Sequence, residues 1–464
     1  MSIVNINISI TNPPRPSQLL KSGALISIGG TTLTPGSYEP LTSKDDLKAI
    51  TSPPKSIASI AWATDVVTVT LSAEHGWANG SEVPLVISGV APAGFNGAYT
   101  ATVTGNKVFT YALNSDPGTA TAMGTVLSVA SGEVQQMNTT YWAQGSSRAV
   151  YVLELGELGV EAAVAALATF ITEDTALGNT YQKIFSYLVP REWDTEASFK
   201  TLANNYTSPG SLVKFFVTTT ISSYEAWASG EYPNVFAGVE APAIGATEFS
   251  IAAPFQSSLA NDPGSSNMVP PMAYRFMYGV TDYPPAGNGT LLKTLQDNNI
   301  NYIGTAAEGG LSNKMLVAGH MLDGMPFNYW YSVAWCAINL EMDLANEVIN
   351  GSNTTVNPLY YEQQGIARLQ RRALKTLRSG ISYGLILGQV IDVQLAQSAF
   401  NEEFEKGTYA GNAVINAVPF TSYTSLHPSD YAEGKYGGLS AVVTPKRGFE
   451  SITFNLNVTN FVGA

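Results

Sequence analysis

The chain has few residues that could do covalent or metal chemistry. Its 464 residues include one cysteine, Cys336, and three histidines, His75, His320 and His427. His320 has the most suggestive neighbourhood, because Asp323 follows three positions later and a His–Asp pair can act as a general base with its orienting carboxylate. No Gly-x-Ser-x-Gly motif supplies a nucleophile for that pair. The sequence therefore favours a histidine in a turn over a catalytic one.

The other two histidines and the cysteine have simpler interpretations. His75 precedes a glycine and His427 precedes a proline, so both are predicted to lie in turns. Cys336 follows Trp335 inside an apolar stretch with helical periodicity, which predicts a buried thiol rather than a nucleophile.

Phosphate and metal motifs are also missing from the sequence. Glycine pairs occur at 29–30, 309–310 and 437–438, but none continues into the Gly-Lys-Ser/Thr of a phosphate loop or the full dinucleotide fingerprint. The acidic cluster Glu402, Glu403 and Glu405 lacks the alternating carboxylates and central glycine of a calcium loop, and is predicted to be a solvated helix face. We predict no catalytic residue, no cofactor site and no metal site, and hence no enzyme.

One concentration of charge stands out against this background. Five of the 23 basic residues lie within eleven positions of a predicted helix at 363–379. They share one helical face at ~100° per residue, and we call them the basic stripe: Arg368, Arg371, Arg372, Lys375 and Arg378. The opposite face is apolar and consists of Ile366, Leu369, Ala373 and Leu377. Two interpretations stay open: a solvated face paired with Glu402, Glu403 and Glu405, or a contact surface for an acidic partner.

The overall composition excludes several functional classes. Acidic residues number 36 against 23 basic ones, which gives a net charge of −13 and disfavours a nucleic-acid-binding protein. Only 13% of the residues are charged, about half of the ~25% that is usual, which suits a folded protein whose outside faces other protein. No apolar run approaches the ~18 residues of a membrane span. The single cysteine allows no intrachain disulfide and fits a reducing compartment.

The two ends of the sequence share a strand pattern. Apolar and polar residues alternate strictly in both segments, which predicts half-buried strands. The apolar positions are Val4, Ile6, Ile8 and Ile10 at one end and Ile452, Phe454, Leu456 and Val458 at the other. Proline-containing linkers adjoin both segments, so each strand could complete its own subunit's sheet or pair with the sheet edge of a neighbour. The sequence leaves that choice open.

Between these ends, we predict a multi-domain α+β or α/β protein. Alternating strands and helices indicate a mainly parallel sheet core covered by helices, followed by a helical part. An all-β sandwich or barrel is predicted to be inserted at residues 56–130, where only five side chains are charged. Smaller predicted elements include a capped helix at 43–50, a strand at 273–280 and a helix at 393–405. The domain boundaries are 1–20 for the N-terminal arm and linker, 21–55 and 131–445 for the core, 56–130 for the insert and 446–464 for the C-terminal arm.

The order of these elements resembles the contractile tail sheath proteins of long-tailed bacteriophages. The resemblance rests on short segments: the first strand with its proline-rich exit, residues 43–50, 142–145 (WAQG), 151–156 (YVLELG), 301–304 (NYIG) and 324–335, the basic helix and the last strand. The insert, with His75-Gly76 and the turn at 94–99, resembles small β modules of phage structural proteins.

This resemblance implies a structural, force-producing protein. Sheath subunits assemble with themselves as stacked hexameric rings around a tail tube, and their terminal arms add strands to neighbouring subunits. The resemblance further implies a tail tube protein, a baseplate and a tail terminator as partners, no nucleic acid and no cofactor. It assigns the basic stripe to the tube, the insert to the outer surface, and the chain to the tail of a virion assembled in the host cytoplasm.

Two other functions remain as alternatives. One is a cytoplasmic α/β hydrolase or transferase with a β accessory module, in which His320 and Asp323 would meet a nucleophile. The other is a phage surface adhesin or fibre protein, favoured by the β module and the low charge.

Overall fold

The structure is a computed structural model that describes residues 20–51, 53–145, 148–157, 159–176, 184–208, 210–228, 230–264, 267–285, 287–305 and 313–450. The predicted strand arms at 4–10 and 452–458 lie outside the described residues. The chain divides into two compact units. Of the described residues, those within 20–261, 276–314 and 321–323 form unit 1, and those within 262–275, 315–320 and 324–450 form unit 2.

Seventeen strands are numbered in chain order within the described residues. They are β1 Gly23–Ser27, β2 Tyr38–Leu41, β3 Lys55–Ala63, β4 Val66–Leu71, β5 Glu82–Ser88, β6 Gly97–Gly105, β7 Val108–Ala112, β8 Thr125–Ser128, β9 Val150–Glu154, β10 Ser186–Leu188, β11 Lys214–Thr219, β12 Val235–Val239, β13 Tyr302–Thr305, β14 Lys314–Val317, β15 Val390–Val393, β16 Ala413–Ala417 and β17 Leu439–Val442.

Ten α-helices are numbered in the same way over the same described ranges. They are α1 Val129–Ala143, α2 Val160–Ala176, α3 Ala197–Asn204, α4 Ala252–Leu259, α5 Gly289–Asp297, α6 Phe327–Ser352, α7 Gln363–Ser382, α8 Gln397–Glu405, α9 Phe420–Leu426 and α10 Pro428–Glu433. None of these described helices is long and apolar enough to cross a membrane.

The core of unit 1 is a six-stranded sheet in the order β12-β11-β10-β1-β9-β2. All neighbouring pairs are parallel except β2, which runs antiparallel to β9 at one edge. Every residue of β1, β11 and β12 is buried, as expected for strands that are covered on both faces. Helix α1 packs against β1 and α4. The predicted mainly parallel sheet is confirmed.

The insert is a closed six-stranded barrel in the order β3-β4-β7-β6-β5-β8. Its neighbouring strands are antiparallel, and in β4 and β5 every second residue points inside. Val67, Val69 and Leu71 of β4 are buried, as are Val83, Leu85 and Ile87 of β5. The barrel therefore has its own apolar core, which confirms an inserted all-β module.

Three local predictions differ from the structure. Residues 273–280 do not form the predicted strand, because Tyr274 has φ 62° and Gly279 has φ 65°, and both values interrupt an extended backbone. Helix α8 begins at Gln397 rather than at 393, because Val393 is the last residue of β15. The predicted helix at 43–50 is a short 3-10 helix, Lys44–Ala49, in which the Asp46 carboxylate accepts the Ser43 backbone N–H at 3.0 Å.

Unit 2 combines two long helices with a small sheet. Helix α7 packs against α6 and also against β15 and β16. The sheet has the order β15-β16-β17, with β15 parallel and β17 antiparallel to the central strand. Gln370 of α7 fixes the helix on the sheet, because its amide nitrogen donates to the backbone oxygens of Val393 at 2.7 Å and Ile415 at 3.2 Å.

Candidate functional site

The candidate site is the face of α7 that carries the basic stripe. The opposite, apolar face of the helix is buried at Ile366, Ala373 and Leu377, while Leu369 is half-buried. Helix α7 therefore has a fixed orientation on unit 2, and its apolar side determines which side chains remain at the surface.

The structure divides the basic stripe into two groups. Arg368 donates from Nε to Glu347 of α6 and from Nη1 to the backbone oxygen of Asn357 at 2.7 Å. Arg372 binds Asp343, also on α6, with 2.5 Å between Nη2 and Oδ1. These two side chains join α7 to α6 and are only 22% and 30% exposed.

Asp343 accepts a second hydrogen bond from the same helix. The Thr376 hydroxyl donates to its other carboxylate oxygen at 2.5 Å. Asp343 is thus held by two side chains one helical turn apart, which stabilises the contact of α6 with α7.

The other three members of the stripe point into solvent. Arg371, Lys375 and Arg378 are exposed, and in the described part of the chain none of them forms an ion pair. Their spacings of four and three residues align them along the helix. We call these three residues the exposed triad. An unpaired, aligned set of cations can bind an acidic surface without breaking an internal contact.

The predicted pairing of the basic stripe with the acidic cluster is wrong for Glu402 and Glu403 of that cluster. Glu402 and Glu403 bind Lys406 at the end of their own helix, at 2.8 Å and 3.3 Å. Two members of the stripe, Arg368 and Arg372, instead pair with acidic residues of α6, which lie more than 20 positions earlier in the sequence. No sequence pattern links these two helices, because the contact depends on how α6 and α7 pack.

The sheet of unit 2 offers a second surface for association. Its outer strands, β15 and β17, each pair only with the central β16, so both edges are open within the described residues. The edge residues are half-buried or exposed. An open edge presents unpaired backbone N–H and C=O groups that another strand can take up.

Neither contact described for His320 and Asp323 was predicted from the sequence. Nε2 of His320 lies 2.9 Å from Oε1 of Glu450, within unit 2. Asp323 belongs to unit 1, where it interacts electrostatically with Lys214. Burial lowers the pKa of Lys214 to about 8, and the charge of Asp323 opposes that shift. The imidazole is therefore oriented by Glu450, a residue that the sequence pattern did not indicate.

The remaining candidate residues for chemistry have structural roles. Cys336 is buried in α6, and burial raises the pKa of its thiol to about 12, so the thiol stays protonated at neutral pH. His75 is buried in the barrel, with Nε2 bound to the backbone oxygen of Gly105 at 2.7 Å and Nδ1 accepting the Trp77 N–H at 3.0 Å. Burial lowers the pKa of His75 and favours its neutral form. His427 lies in the turn between α9 and α10.

Sequence reasoning missed a charged cluster around Arg191 in unit 1. Its guanidinium binds Glu240 at 2.5 Å and Glu133 at 3.4 Å, and it lies 4.2 Å from the centre of the Phe249 ring. Burial raises the pKa of Glu133 to about 7, although the positive charge of Arg191 opposes the shift. These residues are about 50 positions apart, so only the fold brings them together. In the described ranges, no group of three His, Cys, Asp or Glu side chains could hold a metal ion.

Comparison with known proteins gives one weak structural similarity to report. No protein-family model matches the chain, and no curated protein matches it. Eleven chains of solved structures match, and one is the crystal structure of the sheath tail protein from Desulfitobacterium hafniense. The identity is 10% and the TM-score 0.36, over 82% of this chain and 90% of that chain. At this identity and TM-score, we take no fold, residue role or partner from the similarity.

Proposed function

We propose that this chain is a structural subunit of a contractile bacteriophage tail sheath. The observation that carries the proposal is the three-stranded sheet of unit 2. Both edges of this sheet are open as far as the described ranges extend, and the two terminal segments of the chain alternate like strands. In sheath proteins, which this sequence resembles, terminal segments of one subunit pair with sheet edges of its neighbours. We therefore take the open edges as acceptors and the two terminal segments as donors.

In this proposal the arms connect subunits. Two segments pair with the open edges of β15 and β17 in neighbouring copies: Val4, Ile6, Ile8 and Ile10, and Ile452, Phe454, Leu456 and Val458. Backbone hydrogen bonds give such pairing its affinity, and they persist while side-chain contacts between rotating subunits change. The subunits would form stacked hexameric rings around a tail tube, in contact with a baseplate and a tail terminator. Contraction would follow from the lower free energy of the compact lattice.

The exposed triad is the proposed contact with the tail tube. Arg371, Lys375 and Arg378 are available for an acidic partner, whereas Arg368 and Arg372 position α7 through α6. Exposed ion pairs contribute only ~0 to 1 kcal/mol each. Three such pairs could hold the tube and still release it during contraction.

Electron microscopy of the purified full-length chain tests the assembly. Long hollow tubes of stacked rings are expected, because the protein carries both acceptor edges and donor segments. A chain that stays monomeric at high concentration would contradict the sheath proposal and would favour the alternatives, a hydrolase or transferase or a surface adhesin.

Removal of the arms tests strand donation. Deleting residues 1–12 or 451–464 is expected to abolish tubes while the subunit keeps its far-ultraviolet circular dichroism. The matched control replaces residues 1–12 by a glycine-serine segment of equal length, which keeps the chain length but removes the alternating side chains. Tubes formed by either deletion variant or by this control would show that assembly does not require strand donation by the arms.

Charge reversal tests the tube contact. The triple variant Arg371→Glu, Lys375→Glu, Arg378→Glu is expected to lose salt-sensitive co-sedimentation with the tail tube protein encoded in the same genome, while still forming sheath tubes. A matched control makes the same charge change at three exposed lysines elsewhere: Lys48, Lys293 and Lys435. Equal loss in the control would assign the effect to net charge rather than to the triad.

A further inference from the structure

The last described residues of the chain, 444–450, form a strap that is held against unit 2 at successive points. The backbone N–H of Leu387 donates to Thr444 at 2.8 Å, and the N–H of Lys446 donates to Leu385 at 2.9 Å. Pro445 forms an isolated antiparallel bridge with Ile386 between these two bonds. The beginning of the strap is therefore attached by backbone contacts, like a short strand.

The middle of the strap is attached by close packing. A Cβ on Gly448 would lie 2.6 Å from Cβ of Pro271, so only glycine fits at this position. The guanidinium of Arg447 lies 5.9 Å from the centre of the Tyr329 ring, and its Nη2 lies 2.8 Å from Sδ of Met325. The strap thus runs in contact with the 271 segment and with the beginning of α6.

The end of the strap is attached by Glu450. One of its carboxylate oxygens lies 2.9 Å from Nε2 of His320, and its backbone oxygen accepts a hydrogen bond from the Tyr274 hydroxyl. The His320 side chain is only 13% exposed, whereas that of Glu450 is 48% exposed. A mostly buried imidazole therefore holds a carboxylate at the surface.

The residues that hold Glu450 are themselves fixed. Gly319, next to His320, has φ 76°, and a Cβ there would lie 2.9 Å from the backbone nitrogen of Ala273. Asn328 of α6 accepts the N–H of Met272 at 2.8 Å and donates to the backbone oxygen of Pro270 at 2.7 Å. The segments that carry His320 and Tyr274 are therefore held together by contacts that do not involve the strap.

We propose that the strap 444–450 is a latch that fixes where the C-terminal segment 451–464 leaves unit 2, and that the His320–Glu450 pair closes it. Fixing the root of a binding segment in advance lowers the entropy that must be lost when the segment pairs with a neighbour. The link to assembly rests on the proposed sheath function, whereas the latch itself is a property of the single subunit.

A spin label one residue beyond the strap tests the latch. Ser451→Cys is labelled with a nitroxide on the full-length chain in its unassembled form. Cys336 is buried, and its raised thiol pKa further disfavours its reaction with the label. The label is expected to be motionally restricted. Its mobility is expected to rise several-fold in Glu450→Ala and in His320→Ala, and no further when both changes are combined, because the two residues act as one pair.

Two comparisons separate the latch from other effects. Glu433→Ala is the matched control, because Glu433 is also an exposed carboxylate of unit 2 and lies 2.5 Å from a side-chain nitrogen, Nζ of Lys435. If His320→Ala impairs folding, Glu450→Ala still removes the His320–Glu450 contact, because it changes the more exposed of the two side chains. Mobility in Glu450→Ala equal to that in the parent or in Glu433→Ala would overturn the latch.

Assembly gives the second readout. The protein concentration needed for tubes is expected to rise roughly tenfold in Glu450→Ala, as for the loss of one charge-assisted hydrogen bond. An unchanged concentration with a mobile label would refute the role of the latch in assembly. A parent chain that forms no tubes but shows the expected label mobilities would refute the sheath function and leave the latch itself supported.

Discussion

The division of the basic stripe predicts opposite outcomes for two neighbouring arginines. Arg371→Met and Arg372→Met make the same chemical change at adjacent positions of α7. Arg372 binds Asp343, whose side chain is only 19% exposed, whereas Arg371 is exposed and unpaired within the described residues. Arg372→Met is therefore expected to lower the free energy of unfolding of unit 2, while Arg371→Met leaves it nearly unchanged.

The expected magnitude follows from the burial of the pair. Breaking a fully buried ion pair costs about 3–5 kcal/mol, because the remaining charge is left uncompensated. Breaking an exposed pair costs ~0 to 1 kcal/mol. The Arg372–Asp343 pair lies between these cases, and the Thr376 hydroxyl still donates to Asp343 after the substitution. We expect a loss of about 1–3 kcal/mol for Arg372→Met and a change within about 0.5 kcal/mol for Arg371→Met.

Urea unfolding followed by circular dichroism and by tryptophan fluorescence measures the difference. Trp335 on α6 is buried in unit 2 and contributes to the fluorescence together with the six other tryptophans of the chain. Adding Asp343→Asn to each variant completes a double-mutant cycle, in which coupling is expected with Arg372 and not with Arg371. Equal destabilisation by the two substitutions, or equal coupling to Asp343, would refute the division of the stripe.

Three further predictions concern unit 1. Arg191→Met removes the cation that compensates two mostly buried carboxylates and is expected to cost about 3–5 kcal/mol in urea unfolding. His75 has a lowered pKa when folded, so the unfolded state binds more protons below its usual value of about 6.5. The parent's unfolding free energy should therefore fall between pH 7 and pH 5 by more than that of His75→Gln; equal slopes would exclude this contribution. Gly124→Ala would place a Cβ 1.9 Å from the backbone oxygen of Ser88 and is expected to lower the melting temperature, whereas Gly132→Ala in α1, with 3.5 Å of space, should keep or raise it.

The sequence predicted those strands and helices in which apolar and polar residues follow the period of the element. The all-β insert was predicted at 56–130, and the barrel strands run from Lys55 to Ser128, because alternation of apolar and polar residues indicates which side of a strand is inside. Helix α7 was predicted from its amphipathic period in the same way. The alternation at 4–10 and 452–458 remains a prediction, since both segments lie outside the described residues.

Elements without a distinctive period were missed. Strand β1, in the middle of the main sheet, is only five residues long and buried throughout, so it has no alternation that would identify it. Helix α4 is buried on all sides, and its sequence has no polar face to give a helical period. The strand predicted at 273–280 failed for the opposite reason, because its apolar residues are interrupted by two positive φ angles.

The sequence by itself determined how much charge the protein has and that one helix concentrates it. Only the tertiary structure decided what the charge of that helix does, because the ion pairs of Arg368 and Arg372 join residues that packing brings together and not neighbours in the chain. The contact of α6 with α7 assigns Arg368 and Arg372 to internal pairs and leaves Arg371, Lys375 and Arg378 for a partner. The same physical reason explains His320, whose partner Glu450 lies 130 positions away and was out of reach of any local pattern.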